Sequence, residues 1–155
     1  MEIVKPRAES QSLNESLEMC VCTQVRRAAR AITRLYDDAL NETGIRYTQM
    51  IILMVLHKHE GITVSGLADE LLMDASTVAR NLRPLEKQEL ITIMKGKDRR
   101  QRLLALSQKG IEAVEEGVKY WRVAQSKISS NFSEQQFRSH IEAVAALEVV
   151  ATNAS

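Results

Sequence analysis

Apolar residues between Thr63 and Leu106 repeat with two different periods, and the change of period divides the stretch into helices and strands. Val64, Leu67, Ala68, Leu71 and Leu72 recur at i, i+3, i+4, i+7 and i+8, the stripe of an amphipathic helix. Thr63 is its expected N-cap, because a threonine hydroxyl can accept from a free amide of the first turn. The stripe breaks at Met73-Asp74, and Asp74 is placed to cap a second helix. In that helix Val78, Leu82 and Leu85 share one side. Ser76, Ala79, Arg80 and Arg83 face the opposite way, with Thr77 and Asn81 on the flank. Pro84 removes one helical amide, which predicts either a bend near Arg83 or an early end near Leu82. Residues 90–94 and 102–106 are β-rich and enclose a charged tip containing Gly96, the pattern of a hairpin.

The flanking regions read as helices. Leu17, Val21, Val25, Ala28, Ile32, Leu35 and Ala39 step by three or four, predicting one long helix over about 13–42 that Gly44 ends. Thr48 is the expected cap of a helix over about 49–59. Its centre, 50–56, is continuously apolar, so periodicity alone does not separate strand from helix, and Met and Leu richness favours helix. Gly61-Ile62 reads as a turn and a short edge strand. Ser107 is placed to cap a fifth helix with a stripe of Ile111, Val114, Val118, Trp121 and Ile128, interrupted at Gln125. Gly117 either weakens that helix or permits close packing. Ser133 with Gln136 forms a capping box and Phe132 with Phe137 a hydrophobic staple for the last helix. The expected fold class is mainly α with a small β-hairpin wing (α+β). A lobe over about 46–106 is flanked by helical regions over about 13–43 and 107–151, within one domain.

Charge sharpens this picture. The chain has 155 residues and a formal net charge of +1. From Ser76 to Arg102, eight Lys/Arg stand against three Asp/Glu, a local balance of +5. From Ile111 to Glu148 there are six acids and four Lys/Arg, so the C-terminal end does not attract nucleic acid. Arginine can grip guanine or phosphate in bidentate fashion, and asparagine can do so with adenine. Two helices joined by a tight turn, the second presenting such a face, form a helix-turn-helix. The candidate DNA-binding residues are therefore Ser76, Thr77, Arg80, Asn81 and Arg83, with Lys97, Asp98, Arg99 and Arg100 at the hairpin tip. A guanidinium suits the focused negative potential of a narrow minor groove.

With these residues in place, the chain resembles the winged helix-turn-helix regulators of the multiple-antibiotic-resistance regulator (MarR) family. The resemblance runs from about Leu17 to Ile128. It is carried by the helix pair, by Asp98-Arg99-Arg100, and by Leu106-Ser107-Gln108-Lys109-Gly110. It implies that Asp98 anchors the wing and Arg100 enters a groove. It also implies a homodimer on a near-palindromic double-stranded DNA operator, released by a small aromatic effector or by oxidation. Tyr36, His57 and Trp121 are the candidate pocket residues for such an effector. The first and last two helices have apolar stripes without an obvious partner in so small a fold, which favours pairing across a two-fold axis.

Other chemistry finds little support. Cys20 and Cys22 diverge by about 200° on a helix, so they can neither share a metal nor form a disulfide without unwinding. His57, His59 and His140 stand at no ligand spacing to them, so neither a metal nor another cofactor is expected. The thiols are either buried or interface packing residues or include a redox-sensing thiol, and the resemblance adds weight to the second, because hydroperoxide sensors of that family carry an early reactive cysteine. Arg26, Arg27, Arg30 and Arg34 form a cationic stripe, read as a solvated face or as phosphate or subunit contacts. No 18-residue apolar run and no signal pattern occur, so a cytoplasmic protein without membrane contact is expected. Two rival functions remain: a winged-helix protein-interaction module that does not bind DNA, and a thiol-based peroxide-reactive protein. An enzyme is not expected, since no base is placed near either thiol in sequence.

Overall fold

A computed structural model describes residues 15–95 and 102–154. The chain divides into two compact units, Met1–Leu35 and Tyr36–Ser155. In the first, a single helical turn at 15–18 bends at Met19 before helix α1, Val21–Leu40, begins. The one helix expected over 13–42 is thus broken. The Gln24 amide donates to the Cys20 carbonyl at 3.0 Å, which makes Cys20 the residue that opens α1 rather than one inside it. Val21, Val25 and Ile32 are exposed on α1.

The last residues of α1 belong to the second unit, where Tyr36 and Leu40 are buried. A short 3-10 turn, Asn41–Thr43, follows. Gly44 ends it with φ +68°, a left-handed conformation that costs glycine nothing. Helix α2, Tyr47–Lys58, is capped by Arg46 and not by Thr48: the Arg46 amide donates to Gln49 Oε1 at 3.0 Å. The continuous apolar run is helical and central, with Met50, Ile52, Leu53, Val55 and Leu56 all buried.

The next two helices match the predicted pair, with corrections at Leu72 and Asp74. Helix α3, Val64–Glu70, is capped by the Thr63 hydroxyl, which accepts from the Gly66 amide at 3.0 Å. It ends before Leu72, whose φ of +49° turns the chain and leaves its side chain exposed, so Leu72 is not part of the stripe. Helix α4, Ala75–Lys87, runs through Pro84 to Lys87, and the early end near Leu82 does not occur. Leu85 beyond the proline is fully buried, and that burial holds the last turn helical despite the missing amide. Asp74 stands at the N-cap position without a side-chain capping bond.

Strands β1, Ile91–Lys95, and β2, Arg102–Leu106, pair antiparallel with Ile91 opposite Leu106 and Lys95 opposite Arg102. Ile62 adds a bridge to Leu104, the expected edge strand. Helix α5, Gln108–Ser129, is capped by the Ser107 hydroxyl, and α6, Glu134–Asn153, by the predicted Ser133–Gln136 capping box. One core joins α2, α4, the hairpin base and α5 through Leu53, Leu56, Leu82, Leu85, Leu104 and Val114. Gly117 permits close packing, because a Cβ there would stand 2.7 Å from the Met50 sulfur. Helix α6 buries no residue, and Ile141, Val144, Leu147, Val149 and Val150 are all exposed along it. Among the described residues no helix is long and apolar enough to cross a membrane.

Candidate nucleic-acid interface

The geometry of α4 follows from which of its residues the core takes. Val78, Leu82 and Leu85 are buried, so Ser76, Ala79, Arg80 and Arg83 stand exposed on the other side, and Thr77 and Asn81 are half-buried between the two faces. The Arg80 guanidinium donates to the Thr77 hydroxyl at 3.0 Å. The Asn81 amide donates to the Thr77 carbonyl at 2.9 Å and accepts from the Thr48 hydroxyl at 3.3 Å. Arg83 is an exposed cation, and no ion pair among the described residues engages it or Arg80. The other face residues therefore sit where the sequence places them, and Asn81 is tied to two protein partners.

Helix α2 braces both helices of the pair. At its start, Thr48 reaches Asn81 on α4. At its end, Lys58 Nζ and His59 Nε2 meet Glu70 of α3 at 2.7 and 2.6 Å. Hydrogen bonds from Lys58 and then His59 hold the Glu70 carboxyl below its ordinary value of 4.5. The hairpin leaves α4 through Glu89, whose φ is +59°, and Leu90, whose amide bonds the Leu85 carbonyl at 2.9 Å. Strand β2 begins at exposed Arg102. Lys97, Asp98, Arg99 and Arg100, expected at the tip of this hairpin, lie outside the described residues.

The candidate effector residues separate into two places. Tyr36 and Trp121 come together, with ring centroids 6.4 Å apart, and Tyr47 packs on Tyr36 at 4.8 Å. The Tyr36 hydroxyl donates to Gln125 Oε1. Burial first, and Tyr47 beside it, raise the Tyr36 hydroxyl above its ordinary 10.0. His57 is elsewhere, on an open cleft of about 750 Å³ between α2 and α5 lined by Met54, Val55, Val114, Val118 and Arg122. Local pattern gave no sign of Tyr47 or Gln125 here: one reads as a residue before a helix, the other as a break in a stripe. Their partners lie 11 and 89 positions away in sequence.

The cysteines differ. Cys22 is exposed. Cys20 is half-buried at the start of α1, where bonds from the Thr23 side chain and then its amide lower the thiol below its ordinary 9.0. Among the described residues no cluster of three or more His, Cys, Asp or Glu is arranged to hold a metal.

A braced helix pair with a cationic outer face, followed by an antiparallel hairpin, defines the class: a winged helix-turn-helix. The MarR family model matches residues 43–101. The organic hydroperoxide resistance transcriptional regulator of Bacillus subtilis is 31% identical over 103 residues, covering 66% of this chain and 70% of the relative. The Mycobacterium tuberculosis transcriptional regulator MosR, solved in complex with DNA, is 29% identical and superposes with a TM-score of 0.73 over 85% of this chain and 98% of that one. BpsR of Bordetella bronchiseptica, at 17% identity, shares the fold with a TM-score of 0.77 over 84% of this chain and 94% of its own. The chain belongs to the MarR family of winged-helix transcriptional regulators.

Proposed function

We propose that this regulator is a homodimeric repressor, resident in the cytoplasm, that binds a near-palindromic operator and is released by a chemical signal. The observation that carries the DNA-reading part is the division of α4. Val78, Leu82 and Leu85 are taken by the core, and Arg80 and Arg83 stand on the outer face beside Ser76 and Ala79, with no ion pair among the described residues. In this reading Ser76, Thr77, Arg80, Asn81 and Arg83 address the major groove. Lys97, Asp98, Arg99 and Arg100 address the flanking minor groove, with Asp98 anchoring the wing. The lobe over about 46–106 binds DNA, and the helices over about 13–43 and 107–151 join two copies. The exposed apolar side chains of α6 support that role, because an unburied helix that carries them gains stability from a symmetric partner.

Two release signals have support. The lowered Cys20 thiol, and similarity to a regulator named for organic hydroperoxide resistance, favour oxidation. The Tyr36–Tyr47–Trp121 cluster and the His57 cleft favour a small aromatic effector. The DNA assignment is tested by replacing Arg80, Arg99 and Arg100 together with Ala. The expected result is loss of operator binding by at least about a hundredfold at moderate salt, with the dimer intact by sedimentation. A triple variant that binds like the parent removes this reading. Absence of duplex binding by the parent even at low salt selects the protein-interaction alternative instead.

A further inference from the structure

Thr48 joins two helices that the chain separates widely, and the bond it makes ends on a residue of the DNA-facing helix. Its hydroxyl donates to Asn81 Oδ1 at 3.3 Å, across 33 positions of sequence. The same Asn81 side chain donates to the Thr77 carbonyl at 2.9 Å, and the Thr77 hydroxyl accepts from Arg80 at 3.0 Å. The first two contacts form one chain from the first turn of α2 to the flank of α4, Thr48 to Asn81 to the Thr77 carbonyl, while Arg80 bonds the separate Thr77 hydroxyl.

Two features make this chain more than packing. An amide side chain offers two N–H donors and an oxygen with two lone pairs, so Asn81 keeps one donor and one lone pair after both protein bonds. That remaining pair is what a bidentate grip on adenine requires. The start of α2 is itself fixed: the Tyr47 amide donates to Asp37 Oδ1 at 2.7 Å, and the Arg46 amide to Gln49 at 3.0 Å. Thr48 therefore holds Asn81 from a rigid base. A polar side chain held before binding loses less rotamer entropy when it meets a base.

We infer that Thr48 is a specificity-determining positioning residue, which touches no base and sets the orientation of Asn81 for sequence reading. This rests on α4 being the base-reading helix. The prediction separates reading from gripping. Phosphate contacts supply sequence-independent affinity and the salt dependence, whereas base contacts supply discrimination. Losing Thr48 should cost only the second.

The experiment measures dissociation constants of the full-length protein for its selected operator and for a scrambled duplex of equal length, across a salt series. Thr48→Val keeps the branched shape and removes the hydroxyl. It is expected to weaken operator binding roughly fivefold, in keeping with one hydrogen bond lost, with scrambled binding and salt slope unchanged. Thr48→Ser restores the parent value. In an Asn81→Ala background Thr48→Val has no further effect, because the two act through one bond. The inference is overturned if Thr48→Val binds the operator like the parent, or loses equally on both duplexes. It is also overturned if Ser does not rescue, or if the two substitutions add. A parent that selects no operator defeats the assignment of α4 itself, an outcome distinct from any of these.

Discussion

Cys20 owes its chemistry to one backbone bend. Because the helix restarts after Met19, the thiol meets the Thr23 hydroxyl and amide at the opening of α1, and these bonds favour the thiolate. A lowered pKa means that the reactive anion persists at lower pH. In a Cys22→Ser background, the rate of alkylation at Cys20 should reach half its maximum at a pH below 9.0, the ordinary thiol value. A midpoint at or above 9.0 contradicts the assignment. Under peroxide the same protein should release DNA and its Cys20→Ser form should not. Retained release in the Ser form excludes this thiol as the trigger. At this scale the sequence was least informative. It identified Ser76, Arg80 and Arg83 as outward-facing, since a helical period states which residues oppose Val78 and Leu82. It could not state that Asn81 is bound to Thr48, because no local period reports a partner in another helix.

Among the elements, helix boundaries set by a hydroxyl cap were legible: Thr63, Ser107 and Ser133 each accept from an amide of their first turn. Boundaries set by the backbone were not. Leu72 and Glu89 take positive φ without being glycine, and Cys20 opens α1 without a capping sequence. Pro84 left a bend near Arg83 or an early end near Leu82 open, and only the early end is excluded, because tertiary burial of Leu85 outweighs a proline's local preference. The start of α5 shows how tightly the elements meet. The Ser107 amide donates to the Leu90 carbonyl at 3.1 Å, and its hydroxyl to the Glu89 carbonyl at 2.6 Å. A Cβ at Gly110 would lie 1.9 Å from that Leu90 oxygen, and the oxygen belongs to backbone that cannot swing aside. Gly110→Ala should therefore cost about 2 kcal/mol and lower Tm by roughly 4–8 °C at fixed protein concentration. An unchanged Tm in calorimetry would show that the hairpin and α5 are not joined as described.

For the whole molecule, the fold class followed from periods together with caps and composition, and the family from the helix pair, the wing and the residues after it. What the sequence could not supply is how two copies meet. That information lies in faces such as α6, whose Ile141, Val144, Leu147 and Val150 are exposed in the single chain. In the proposed function, two copies of one cationic helix and wing read one duplex together. Selection of bound sequences from a random duplex pool by the full-length protein tests it most directly. Such a dimer enriches an inverted repeat whose half-sites are centred about one helical turn, roughly 10 base pairs, apart. Enrichment of a single unrepeated motif, or of no motif at all, would contradict it.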